Sequence, residues 1–223
     1  MTSQSLTSFM TAYLHRFRED DSGVTLVELA IIIPVFLLLL FGLIDFGRMS
    51  GDYVMANKAM HTAVRMAAVR PPVAAQFCGG VAVPATNLRG PVQQGTIPPR
   101  FGTSCSAGAN VCATPAAAIC TGDATDPTAN EIWTKIQPMM PAGSSPSNLL
   151  IRYEFDSNLG FLGGPYIPVV TVELQNLNFQ FVTPLGGLAA LAGATGSTMP
   201  NSVTVPPMST SMPAEDLASG NNG

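Results

Sequence analysis

The sequence predicts an α+β protein in which a long N-terminal helix, transmembrane at first and then extended, packs on a small antiparallel β-sheet head. Three observations lead to this prediction. An uncharged apolar run continues as an amphipathic helix, a Cys-, Pro- and Gly-rich stretch follows, and the C-terminal part alternates apolar and polar residues. A chain of 223 residues suffices for one domain and an anchor, so we expect one head with an irregular, disulfide-stapled segment.

The composition favours a membrane-associated protein and argues against nucleic-acid binding. Hydrophobic residues make up 47% of the chain and charged residues only 11%, with a formal net charge of −4. The ten lysines and arginines form no dense cluster that could follow a phosphate backbone. We therefore predict a membrane partner and no nucleic acid.

The apolar run is long enough to cross a bilayer. Residues 29–44 carry no charge, and from Val24 the stretch reaches about twenty residues, the length that a spanning helix needs. No small-x-small cleavage site follows it, so we expect the segment to be retained instead of removed as a secretory signal peptide. Pro34 lies inside the run, either as a kink or as a proline that membrane helices tolerate.

The same helix is predicted to continue outside the membrane as an amphipathic extension. Apolar residues recur there at alternating steps of three and four, and Pro71 and Pro72 end the helix. The predicted helix seam consists of Phe46, Met49, Tyr53, Ala56, Met60, Ala63 and Ala67. We assign this seam to packing against the β-rich head, because its alanines are too small for a free coiled coil.

Four cysteines lie in the Pro/Gly/Ala-rich stretch that follows the helix. They are Cys78, Cys105, Cys112 and Cys120. An even number outside the cytosol indicates disulfide bonds, and three pairings remain open. A zinc site is the weaker interpretation, since there is no Cys-x-x-Cys pair and neither His15 nor His61 has ligand spacing.

The rest of the head is predicted to contain one short helix and several strands. In "DPTANEIWTKIQP" Asp126 is the expected N-cap and Pro127 opens the first turn. Alternation predicts strands around residues 151–155 and 170–174, and a bulge or turn near Asn176 would carry the apolar face on to residues 177–181. "PLGGLAALAGATGS" is predicted to be a loop, and "NSVTVPP" and "MSTSMP" short strands.

Enzyme signatures are missing from the sequence. There is no glycine-rich phosphate loop and no Gly-x-Ser-x-Gly elbow, and His61 lies off the helix seam. We therefore predict no catalytic residue, no metal and no cofactor.

Gly23 followed by "VTLVE" resembles the processing site of a type IV prepilin. The resemblance implies that prepilin peptidase cleaves after Gly23, so that Val24 becomes the N-terminus and Glu28 the fifth residue. A lone carboxylate in hydrocarbon costs several kcal/mol, and pairing with an α-ammonium group removes most of that cost. Glu28 would then set the register of assembly; the alternative is that Glu28 is merely an interfacial acid.

"LVELAIIIPVFLLLLFGLIDFGRM" and "ANKAMHTAVRMAAVRPP" together resemble the TadE-like pseudopilins of the tight-adherence (Flp) pilus system over residues 22–72. The resemblance implies a minor pilin with a single pass through the bacterial inner membrane and a periplasmic head. Its partners would be other pilin subunits and the pilus assembly platform. "GVTLVEL" is closer to the general type IV and type II secretion signature, so a type II secretion pseudopilin is one alternative. A signal-anchored periplasmic binding or sensor module is the other.

These inferences divide the chain into six parts. They are a leader (1–23), a transmembrane helix (24–45), its periplasmic extension (46–70), an irregular Cys/Pro/Gly-rich segment (71–125), a short helix with the β-rich head (126–213) and a flexible tail (214–223).

Overall fold

A computed structural model describes residues 22–92, 94–193, 202–215 and 217. It confirms the predicted α+β class, with a long apolar N-terminal helix packed on a four-stranded antiparallel sheet and two disulfide bonds. The helices are α1 Ser22–Val69, α2 Pro127–Ile136 and α3 Leu185–Leu191. The strands are β1 Ala118–Thr121, β2 Leu149–Glu154, β3 Val169–Leu174, β4 Asn178–Gln180, β5 Ser202–Thr204 and β6 Met208–Pro213. Single 3-10 turns occur at Ala75–Phe77, Cys105–Ala107, Gln137–Met139 and Pro146–Asn148.

Helix α1 has 48 residues and contains Pro34 in its interior. Its apolar first half is exposed, as shown by Leu26, Ile31 and Leu39 at 70%, 67% and 65%. Among the described residues it is the one helix long and apolar enough to cross a membrane. The predicted anchor is therefore present as a candidate spanning helix, consistent with a single-pass protein.

The chain divides into two compact units, which are described separately. One unit contains α1 up to Arg48 and the described residues of Gln180–Ser202. The other contains the described residues of Met49–Phe179 and Val203–Gly223, including the four-stranded sheet and both disulfide bonds.

The sheet has the strand order β1-β2-β3-β6, and each neighbouring pair is antiparallel. Ile151 lies opposite Cys120 on one side and Val172 on the other, and Val172 lies opposite Thr210. Alternate residues of β2 and β3 are buried, which gives the sheet one apolar face and one more polar face. β4 and β5 form a separate two-stranded sheet.

The core of the second unit lies between the apolar face of the sheet, the end of α1 and α2. The residues that α1 contributes are Ala56, Ala59, Met60, Ala63, Val64 and Ala67. The facing residues of β2, β3 and α2 are Leu149, Ile151, Tyr153, Val170, Val172, Leu174, Ala129, Ile132, Trp133 and Ile136. Small side chains on α1 let the helix approach the sheet closely, so that both apolar surfaces are removed from water.

The buried stripe of α1 differs from the predicted helix seam at its N-terminal end. Phe46 and Tyr53 are 53% and 42% exposed, and Met49 does not belong to this core. Ala59 and Val64 are buried instead, because the stripe follows the wider 3.6-residue period of a helix on a globular core. The prediction used the heptad repeat, which describes helices in a coiled coil, whereas α1 packs on a sheet.

Several predictions for the head are confirmed and others are corrected. α2 begins after Asp126 as predicted, and a turn with Asn176 at φ 56° separates β3 from β4. The predicted loop at 184–197 contains α3, and the predicted irregular segment contains β1. In the predicted tail Ala214 and Leu217 are buried in the core, each at 4% exposure, because apolar side chains next to β6 complete the cover of the sheet.

Met60→Asp is expected to lower the free energy of unfolding by several kcal/mol, because Met60 is 0% exposed and a carboxylate there would be buried without a partner. The measurement is a denaturant titration of the full chain in detergent micelles, followed by the emission of Trp133. Met55→Asp is the matched control, since Met55 lies on the same helix with 43% exposure. Equal losses in the two variants would contradict this packing.

Candidate functional site

The predicted processing and assembly residues lie in the first turns of α1. Gly23 and Glu28 are both exposed, and a Cβ atom added at Gly23 would meet no heavy atom within 4 Å. Glu28 has no hydrogen-bond or ion-pair partner among the described residues. Ile31 and Ile32, one turn further on, are 67% and 61% exposed. Glu28 therefore lies at the N-terminal edge of an exposed apolar surface. Its carboxylate is available to a positively charged group outside the described residues.

The four predicted cysteines are brought together as two disulfide bonds. Cys78 pairs with Cys120 and Cys105 pairs with Cys112. The first bond joins the 3-10 turn after α1 to β1, and both of its sulfurs belong to buried residues of the core. The second closes a short loop beside Val111 and Leu162. The bonds fix a segment whose glycines and prolines bury little apolar surface of their own.

The chain leaving α1 is held against α2 by polar contacts. The Arg70 guanidinium donates to the Glu131 carboxylate at 2.8 Å, and the Thr128 hydroxyl donates to the Pro71 carbonyl at 2.9 Å. The carboxylate of Asp126 accepts from the Ala129 backbone N–H at 2.8 Å and from the Ala74 backbone N–H at 3.0 Å. Asp126 thus caps α2 and also fixes the turn after α1, which is a second role that the capping signal did not predict.

Tyr153 completes this arrangement from the sheet. Its hydroxyl oxygen accepts a hydrogen bond from the Val73 backbone N–H at 3.3 Å. Burial raises the pKa of Tyr153 to about 12, so the phenol stays neutral at physiological pH. A buried polar tip is therefore satisfied without a charge in the core.

A third cluster surrounds Asp45, which is 1% exposed. One carboxylate oxygen accepts from the Arg48 guanidinium at 3.2 Å, three residues further along the same helix. The other oxygen accepts from both the backbone N–H of Thr183, at 3.1 Å, and the Thr183 hydroxyl. The Val182 backbone N–H also points to Asp45, at 3.5 Å. Sequence reasoning missed Thr183 because its position, 138 residues from Asp45, leaves no local pattern.

The described residues contain no candidate metal site. No set of three or more His, Cys, Asp or Glu side chains there could hold an ion. The side-chain chemistry at the three places above consists of hydrogen bonds, ion pairs and disulfide bonds.

The described residues define a protein with a candidate membrane helix and a disulfide-stapled α+β head. The family model for TadE-like protein matches residues 23–68, which begin at Gly23 and end one residue before the last residue of α1. Over this N-terminal helix, about a fifth of the chain, the sequence is similar to TadE-like protein. No curated protein and no solved structure matches the chain.

The disulfide bonds are expected to differ in their contribution to stability. Replacing Cys78 and Cys120 by serine should lower the free energy of unfolding by about 2–4 kcal/mol, because the bond closes a loop of 42 residues. The same change at Cys105 and Cys112, 7 residues apart, should cost about 1.5 kcal/mol less in the chain-entropy account. Denaturant titrations of the two double variants in detergent measure both losses, and a larger loss for the short loop would contradict the assignment.

Proposed function

We propose that the chain is a minor pilin or pseudopilin that takes part in the assembly of a Tad/Flp-type pilus. Its α1 would hold it in the bacterial inner membrane, and its head would lie in the periplasm. Prepilin peptidase would remove the leader after Gly23. The remaining subunit would contact other pilin subunits and the assembly platform in the membrane.

One observation carries this proposal. The TadE-like match begins at Gly23, the residue after which cleavage is predicted, and it covers the helix that would remain attached to the head. Cleavage requires the first turn of α1 to open, since a protease takes an extended backbone. The exposed start of a helix, where fraying is easiest, is a suitable place for this.

The position of Glu28 supports an assembly role. The carboxylate sits on an exposed apolar surface without a partner among the described residues. Cleavage would create an α-ammonium group on Val24, and such a group on a neighbouring subunit could neutralise Glu28 within the bilayer. The pair would fix the axial position of one helix against the next.

The two disulfide bonds support the periplasmic location of the head. Disulfide bonds persist in oxidising compartments and are rare in the cytosol. A signal-anchored periplasmic module would share this feature but would keep its N-terminus. A type II secretion pseudopilin would share both features, so it differs only in the machinery with which it assembles.

Processing is expected to remove residues 1–23, so that the mature chain begins at Val24. Gly23→Phe should leave the full-length chain, because a bulky side chain would obstruct the protease cleft. Intact mass of the protein extracted from membranes of cells with an active prepilin peptidase gives the result. Gly51→Phe is the matched control, since Gly51 also lies exposed in α1 with no heavy atom within 4 Å of a Cβ. A full-length mass for the wild-type chain in these cells would refute the processing site.

Glu28→Ala is expected to be processed normally but to assemble poorly, because the ammonium group would lose its counter-charge in the membrane. Glu28→Asp should be intermediate, since its shorter side chain reaches less far. Pilus yield in sheared fractions measures assembly, and the intact mass confirms processing in the same cells. Normal pilus yield in the alanine variant would remove Glu28 from the assembly mechanism.

A further inference from the structure

The residues that follow β4 lie against the apolar half of α1. The rings of Phe181 and Phe46 pack edge to face with centroids 6.0 Å apart. Leu185, the first residue of α3, lines an open apolar groove with residues of α1, namely Leu38, Leu39, Gly42, Leu43 and Phe46. Leu38 precedes Asp45 by seven residues, so at 1.5 Å per residue the groove extends about 10 Å from Asp45 into the uncharged run.

Residues 181–193 are apolar both on the side that packs on α1 and on the exposed side. Residues 181–193 read "FVTPLGGLAALAG" and contain no charge. Leu185 and Ala189 are buried, whereas Val182 and Leu191 are 72% and 74% exposed. A short helix without a polar face is poorly suited to water. Its exposed side chains continue the exposed apolar surface of α1, where Leu43 is 74% exposed.

Backbone N–H groups at both ends of the segment find acceptors within the protein, as a lipid environment favours. Hydrocarbon offers no hydrogen bonds, so each N–H must find an acceptor in the protein. Asp45 accepts from the backbone N–H of Thr183 before α3 begins, and the Leu185 N–H donates to the Thr183 carbonyl at 2.8 Å. At the other end the N–H groups of Ala192 and Gly193 donate to carbonyls of α3 at 2.9 Å and 3.1 Å.

The burial and the hydrogen bonds of Asp45 suit a position at the edge of the hydrocarbon region. Its carboxylate is 1% exposed, and its acceptors are occupied by Thr183 and Arg48. The Arg48 side chain is 46% exposed, so it can extend its charged end toward the headgroups while it pairs with Asp45. An ionisable group at such a depth persists only with partners of this kind.

We propose that residues 181–191 form a second membrane-contacting element, and that its partner is the acyl-chain region of the bilayer leaflet that holds the Ile44 end of the apolar run. Asp45 is the positioning residue that docks this element on α1. The proposal rests on α1 spanning a membrane and does not depend on a role in a filament.

Quenching of tryptophan emission by lipids brominated on their acyl chains tests the contact. The full chain is reconstituted in phosphatidylcholine vesicles that contain such lipids, and Trp133, 6% exposed in the core, provides the background. The added emission of Leu191→Trp should fall about twofold or more, because the apolar face of an interfacial helix is buried roughly 5–10 Å into the boundary between headgroups and acyl chains. Ile32→Trp, at 61% exposure in the apolar run, is the membrane marker, and Leu88→Trp, at 61% exposure beside Arg89, is the matched control that should remain unquenched.

The role of Asp45 is tested in the Leu191→Trp background. Asp45→Ala should return the emission to the level of the Leu88→Trp control, because Thr183 loses its acceptor and the segment leaves α1. Asp52→Ala, two turns further along the same helix, should leave the quenching unchanged. Unchanged quenching after Asp45→Ala would show that Asp45 does not position the segment.

The remaining outcomes separate this proposal from its premise. Quenching at Ile32→Trp without quenching at Leu191→Trp would overturn the second membrane contact and leave α1 as the anchor. Quenching at neither position would overturn both. Quenching at Leu191→Trp that declines as the protein-to-lipid ratio rises would assign the segment to a contact between copies of the chain, and the lipid contact would be wrong.

Discussion

The burial of small α1 side chains against the antiparallel sheet is the interaction on which the head depends. Ala56, Met60, Ala63 and Ala67 are all 0% exposed, although the same helix exposes its apolar residues in its first half. One helix therefore meets two environments. The sheet needs the helix because its inner face carries valine, isoleucine and tyrosine side chains that α1 and α2 help to remove from water.

The exit from α1 shows how polar groups protect this packing. Pro71 and Pro72 end the helix, but they do not determine the direction in which the chain continues. The direction is fixed by Asp126, Thr128 and Tyr153, which bond the backbone of residues 71–74. The Cys78–Cys120 bond then ties the next turn to β1. Hydrogen bonds orient the chain locally, and the covalent bond removes loop-closure entropy from the unfolded state.

Sequence reasoning succeeded where the signal was local and failed where it was distant. Asp126 and Pro127 announce α2 within one turn, and the alternation in β2 and β3 is regular, so these elements were predictable. β1 was missed because it has only four residues and lies in a Cys-, Pro- and Gly-rich stretch, and α3 was missed because its glycines resemble a loop. The Cys78–Cys120 bond and the Thr183–Asp45 contact join residues far apart along the chain, and no periodic pattern encodes such contacts.

The two acids that flank the apolar run have opposite surroundings, and this difference separates their roles. Asp45 is satisfied inside the chain by Arg48 and Thr183, so it has little capacity left for a second protein. Glu28 is exposed and has no such partner among the described residues. A carboxylate at either position would be costly in hydrocarbon, yet this chain offsets that cost only for Asp45. We therefore propose that the exposed acid Glu28 pairs with a neighbouring subunit, whereas the buried acid Asp45 holds residues 181–191 of its own chain at the membrane.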